Sequence, residues 1–128
     1  SLHLGKRVKF WGIRSDVAQI LKASDVVVMS SHWEGLSLSN VEGMSAGKPF
    51  IASNVNGLRE VTQGYGILFE HENAEELASI LRKLHDDSVY YNETAERCYN
   101  RAKEFDISVT VRKYNEVYQN ILSCRKGK

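Results

Sequence analysis

With only two cysteines, Cys98 and Cys124, the chain has neither a disulfide framework nor the spacing of a cysteine metal site. Two reduced thiols carried on helices are expected, one or both half-buried, as in a cytosolic protein. No charge sign dominates: 17 Lys and Arg against 16 Asp and Glu leave a net charge of +1. That balance removes any bulk electrostatic case for DNA, RNA or an anionic membrane as partner. No apolar run reaches the roughly 18 residues that a membrane span needs, and no signal peptide is visible. Internal repeats and low-complexity tracts are missing too, and no segment suggests a Ser-His-Asp or Cys-His nucleophile. What is left is a composition of 42% hydrophobic and 26% charged residues, that of an ordinary globular protein. The length suits one domain, residues 1–128, with a single core that hides roughly two-thirds of the unfolded surface.

Along the chain the hydrophobic period alternates between strand-like and helix-like. Lys6 to Gly12 reads as a strand with Gly12 at its exit. Asp16 is placed to cap a short helix whose Val17, Ile20 and Leu21 share one face. The apolar run Val26 to Ser30 reads as a buried strand, Phe50 to Ser53 as a second, and Ile67 to Phe69, after the glycines at 64 and 66, as a third. Between the last two, a turn-rich Asn54-Val55-Asn56-Gly57 leads into a short helix through Val61. From Asn73 the period changes to 3.6. Leu77, Ile80, Leu81 and Leu84 form a stripe on a helix capped by Asn73, with Glu75 and Glu76 in its first turn. A further helix, from Val89 to about Glu104, carries Tyr91, Ala95, Cys98, Ala102 and Phe105 on one face. Another, from near Ser108, carries Val111, Tyr114, Tyr118 and Ile121. Both aromatic stripes are expected to be core packing. Strands alternating with helices imply an α/β fold with a parallel sheet and crossover helices.

The most informative stretch is Ser31-His32-Trp33-Glu34-Gly35-Leu36-Ser37-Leu38-Ser39-Asn40-Val41-Glu42, followed by Gly43 to Pro49. It joins a strand to a glycine loop and then to a helix N-terminus, where free backbone N–H groups can receive phosphate oxygens. Ser39 is expected to cap that helix, with Glu42 as its capping-box partner. Gly47 would close the helix, and Pro49 would stop it before the next strand. Gly35 lets backbone approach a ligand with no Cβ in the way. Carboxylates can accept hydrogen bonds from sugar hydroxyls, so Glu34 and Glu42 on either side of the loop suggest a phosphorylated sugar or nucleotide sugar. On spacing alone, Glu42 reads more readily as a capping residue and nothing more.

The wording of Ser31 to Pro49, together with Ile51 to Val61, closely resembles the donor-binding signature of retaining glycosyltransferases of family 4, which have the two-Rossmann-domain GT-B architecture. Val8-Lys9-Phe10-Trp11-Gly12 resembles the strand before that signature, and Asp25 to Ser31 the strand entering it. Gly66 to Phe69 resembles the last sheet strand, and Asp106 onward the closing helix. The resemblance implies a Rossmann-like, mainly parallel sheet of about four strands with flanking helices and a helical C-terminus. Together with a start at Ser1 rather than Met, it implies the later portion of a nucleotide-sugar-binding domain within a longer polypeptide. In that fold two strands absent from this chain separate the one near Val8 from the one near Val26. The strand at Val8 is therefore expected to pair directly beside Val26 or with another copy of the chain through the exposed sheet edge.

The implied activity of the parent protein is transfer of a sugar, with retention, from a nucleoside-diphosphate sugar to an acceptor hydroxyl. Glu34 takes the catalytic position, facing developing charge at the anomeric carbon. Backbone amides of Gly35, Leu36, Ser37 and Leu38 would meet the sugar or diphosphate, and Glu42 would hold the ribose hydroxyls. Gly12 and Arg14 would lie beside the nucleobase, although Arg14 reads equally well as a plain surface cation. His32 and Trp33 are open between a pocket rim and half-exposed packing. Lys48 and Arg59 are expected to be solvated, and Gly57 and Glu60 to act as turn and local support. No metal and no cofactor are expected. The arginine and lysine that the family sets against the diphosphate lie upstream of this chain. So does the domain for a carbohydrate or lipid-linked acceptor, and the chain alone is expected to be inactive. A cytoplasmic, at most membrane-peripheral, parent is implied. Alternatives from these residues are another GT-B enzyme, such as a nucleotide-sugar epimerase or a phosphorylase, and a non-catalytic Rossmann-like binding or interaction module.

Overall fold

The structure is a computed structural model and describes residues 4–35 and 38–126. Three short strands, β1 (Val27–Met29), β2 (Phe50–Ser53) and β3 (Ile67–Phe69), form a parallel sheet in the order β1-β2-β3. Val27 pairs with Phe50, and Ile51 pairs with Ile67. Parallel neighbours need a crossover, supplied here by α2 (Leu38–Ser45) between β1 and β2 and by α3 (Leu58–Thr62) between β2 and β3. All four residues of β2 are buried, as expected of a central strand covered on both faces. The two-residue period of the strand divides them. Phe50 and Ala52 pack with Met44 of α2, Leu58 and Val61 of α3, and Cys98 and Ala102 of the later helix α5 (Ser88–Lys103). Ile51 turns the other way, onto Phe69 and onto Leu77, Ile80 and Leu84 of α4 (Ala74–Asp86).

The caps follow local chemistry. The Asn73 side chain accepts from the Glu76 amide and starts α4, and the Asp87 side chain accepts from the Tyr90 amide and starts α5. Gly47, at φ 71°, closes α2 just before buried Pro49. Cys98 is fully buried with its Sγ 3.6 Å from the Tyr65 carbonyl, and burial pushes its thiol pKa up. Cys124 is exposed.

Four expectations change. The segment from Lys6 to Gly12 is not a strand: it begins in a short 3-10 turn (Gly5–Arg7) and runs on without a sheet partner, so the sheet has three strands rather than about four. Its alternating side chains would suit a half-buried strand, but it forms no ladder with the edge that β1 presents. Phe10 is 94% exposed, and Trp11 lies between Lys9 and Arg14 in cation–π contact. It therefore pairs neither beside Val26 nor with another strand among the described residues, and the outer edge of β1 is open. Asp16 precedes α1 (Val17–Ala23) but makes no side-chain cap. Both of its carboxylate oxygens are taken by Arg14, at 2.7 and 2.5 Å. Ser39 is inside α2, not at its cap. Buried Asn40 holds the first turn down, its amide 3.4 Å from both the Leu58 carbonyl and Thr62 Oγ1, so the helix starts before Ser39 and the Ser39–Glu42 capping box does not form. Finally, α6 (Ile107–Lys126) forms, but its stripe is not core. Val111, Tyr114, Tyr118 and Ile121 are between 51 and 60% exposed. Helical periodicity marks a face fit for burial without supplying a surface to cover it.

Among the described residues no helix is long and apolar enough to cross a membrane.

Candidate functional site

The strands of a parallel sheet deliver their following loops to one end, the usual place for a ligand in such folds. The exit of β2 is tied to that of β3 by the Asn54 amide, which donates to the Phe69 carbonyl at 2.8 Å. It is tied to the exit of β1 by the buried Ser53 hydroxyl, which donates to the Ser31 carbonyl at 2.6 Å. Three loops are thereby fixed to one another before any ligand is considered.

Glu34 lies in the first of these loops and is partly buried. The Ser31 hydroxyl donates to its Oε1 at 2.8 Å. Its other neighbour is backbone: Gly57, at φ 84°, sits so close that a Cβ there would overlap the carbonyl oxygens of Glu34 and Gly35. Gly57 opens α3, and its N–H donates to Glu60 Oε2 at 2.8 Å. The turn and the glutamate loop thus lean on each other through main-chain atoms, which makes Gly57 and Glu60 supports of the site.

Glu42 sits beyond the loop on α2, exposed, and no hydrogen bond reaches its carboxylate among the described residues. It lines a pocket of about 210 Å³ between α1 and α2, together with Ser15, Leu21, Lys22 and Ser45. Glu34 does not line that pocket. Of the two carboxylates, only that of Glu42 therefore borders this pocket. Lys22, which the sequence did not single out, puts an ammonium group on the Glu42 side. Gly12 (φ 63°) is exposed and leads toward the same pocket through Arg14. Arg14 is held in a bidentate pair with Asp16, which raises the guanidinium pKa and lowers that of the carboxyl. That pairing leaves the Arg14 cation already partnered. Gly35 and Leu38 bracket the loop, while Leu36 and Ser37 lie outside the described residues.

Trp33 is 77% exposed and so is not a core residue. His32 meets a residue from the far side of the sheet, His71, their ring nitrogens 2.6 Å apart. Arg59 is exposed, as expected, and its guanidinium is tied to the Asn54 side chain at 2.6 Å and to the Asn54 carbonyl at 3.1 Å.

Comparison with known proteins gives the family of the fold. A galactosyltransferase of Escherichia coli, UDP-Gal:alpha-D-GlcNAc-diphosphoundecaprenol alpha-1,3-galactosyltransferase, is 36% identical over 120 residues, covering 91% of this chain and 31% of that protein. The crystal structure of Anabaena HepE in complex with UDP-glucose superposes with a TM-score of 0.83 at 29% identity, covering 93% of this chain and 34% of that one. The C-terminal domain of LpcC from Francisella tularensis, a glycosyl transferase group 1 family protein, superposes with a TM-score of 0.66 at 25% identity, over 77% of this chain and 51% of that one. The chain thus spans about a third of the E. coli relative and of HepE. The family model of glycosyl transferases group 1 matches residues 1–105, from the N-terminus through the end of α5. With its parallel sheet, crossover helices and glutamate loop, the chain belongs to the group 1 glycosyl transferases.

Proposed function

We propose that this chain is the later portion of the donor-binding domain of a retaining family 4 glycosyltransferase, within a longer protein that transfers a sugar from a nucleoside-diphosphate sugar to an acceptor hydroxyl. The observation that carries the reading is Glu34. It is partly buried at the carboxyl end of a parallel strand, oriented by Ser31, and set directly before a helix entry in a fold shared with a UDP-glucose complex. Glu34 faces the anomeric carbon, where positive charge grows as the diphosphate departs. Main-chain N–H groups from Gly35 to Leu38 and the positive end of α2 receive the sugar and phosphates. Glu42 accepts from ribose hydroxyls, and Gly12 and Arg14 border the base. The catalytic work assigned here is positioning and charge stabilisation, and it needs no cofactor.

The acceptor is a carbohydrate or lipid-linked hydroxyl presented by another part of the protein. The acceptor in the name of the E. coli relative, an alpha-D-GlcNAc-diphosphoundecaprenol, supports the lipid-linked form. The parent works in the cytoplasm, membrane-peripheral at most. The open outer edge of β1 supports pairing of isolated chains, which sedimentation should register as a mass that rises with concentration.

The test is a titration of nucleotide sugars against the full-length protein, following product. Product should form with the full-length protein and not with the 128-residue chain. Glu42→Ala should weaken nucleotide binding by about 1.5–3 kcal/mol, the range for a lost hydrogen bond to a charged group. No product with any donor, or unchanged nucleotide affinity in Glu42→Ala, would count against the assignment.

A further inference from the structure

His32 follows β1, and His71 and Glu72 follow β3, yet one ligand atom from each falls within 4.8 Å of the other two. The imidazole nitrogens His32 Nδ1 and His71 Nε2 are 2.6 Å apart, and Glu72 Oε1 lies 3.9 Å from the first and 3.8 Å from the second. We propose that these three side chains bind a divalent transition-metal cation of the Zn²⁺ class, a site independent of the donor assignment above.

The distances fit such an ion. Zinc holds imidazole nitrogen at about 2.0–2.1 Å, so two ligand atoms at a tetrahedral angle stand roughly 3.3 Å apart. The present triangle brackets that value. The cation takes the place of the ring proton between the two nitrogens, which passes through solvent to the other nitrogen of the same imidazole; the pair opens by less than about 1 Å and the carboxylate draws in by about half that. The required movement is available because His32 and Glu72 are 78% and 73% exposed in their side chains, while His71, at 30%, is the fixed member. Two imidazoles and one carboxylate favour Zn²⁺, Ni²⁺ or Cu²⁺ over Mg²⁺ or Ca²⁺, which take oxygen ligands.

The backbone holds this set in place. Glu72, at φ 65°, is the only non-glycine residue with positive φ among the described residues, a conformation that costs free energy and persists where neighbours impose it. Its turn is pinned at the start, where the Glu70 amide donates to Glu76 Oε2 and Glu70 Oε1 accepts from Asn54 Nδ2, both at 2.8 Å. The His32 loop is pinned through the contact of Ser53 with Ser31. Beside the three ligands opens a pocket of about 230 Å³ walled by Ser30, Phe69, Ala74 and Leu77. It leaves room for water as a fourth ligand. A bound ion would join the Glu34 loop to the turn after β3.

The test is calorimetric titration of Zn²⁺ into chelator-treated protein carrying Cys124→Ser, so that the exposed thiol does not contribute. One Zn²⁺ per chain should bind. Loss of an outer-shell partner alone lowers metal affinity roughly ten- to a hundredfold, so His32→Ala and His71→Ala should each lower it at least about tenfold. His85→Ala, on the exposed surface of α4, should leave it unchanged. Circular dichroism of each variant should match the parent, since His32 and Glu72 are exposed and His71 lies in a loop. A parent with no saturable one-site binding by about 1 mM Zn²⁺ overturns the proposal. So does affinity undiminished in the folded His32→Ala or His71→Ala protein.

Discussion

Glu34→Gln in the full-length protein should lower kcat roughly a hundredfold or more while leaving donor affinity close to its original value. That magnitude is typical when one group facing transition-state charge is lost. Glutamine keeps the shape of the side chain and an oxygen for the Ser31 hydroxyl, so the loop stays in place and only the negative charge goes. Ground-state contacts to the donor should then survive, and the loss should fall on the chemical step. Steady-state kinetics paired with nucleotide-sugar binding would separate the two quantities. Equal, small losses in both would remove Glu34 from the reacting centre and leave it as one more polar contact.

The second large effect concerns stability. Gly57→Ala should cost at least about 3 kcal/mol, because it combines a left-handed backbone with a direct collision. The added Cβ overlaps the carbonyl oxygens of Glu34 and Gly35, both main-chain atoms that cannot rotate away. For a chain of this size the melting temperature should fall on the order of 10 °C. Gly47→Ala isolates the backbone contribution. Gly47 also has positive φ, 71°, but nothing lies within 4 Å of its would-be Cβ, so its cost should be only about 1–2 kcal/mol. Thermal melts of the two variants give the comparison directly. Equal melting temperatures would mean that the 57 turn can retreat from the glutamate loop.

Much of the sheet was legible because its residues carry their own boundaries. β2 is an apolar run between Pro49 and Asn54, and β3 follows Gly66. α4 announced itself through Asn73 and a 3.6-residue stripe that ends at Leu84. Sequence reading failed where a pattern depends on a partner elsewhere. The alternation from Lys6 to Gly12 describes one side of a strand pairing and says nothing of whether the other side exists. The stripe on α6 has the same ambiguity. At Ser39, helix-start chemistry was overridden by buried Asn40, whose contacts with Leu58 and Thr62 set the first turn from α3. That Glu34 lies in the loop after a strand was visible from the glycine beside it. The meeting of His32 with His71, 39 positions away, was not. It arises only because β1 and β3 flank β2 in parallel and so deliver their loops to the same end.

The hydrogen bond from Ser31 to Glu34 has a consequence in entropy. A free glutamate carboxylate turns about its last bond and samples many directions. Here Oε1 is engaged by a hydroxyl whose own backbone carbonyl is held by buried Ser53, so the rotor is restrained and Oε2 is the oxygen left for a ligand. Immobilising a flexible side chain on binding typically costs about 0.5–1.5 kcal/mol. At Glu34 that ordering is completed when the sheet folds, and a molecule arriving at the loop meets a carboxylate whose direction has already been chosen.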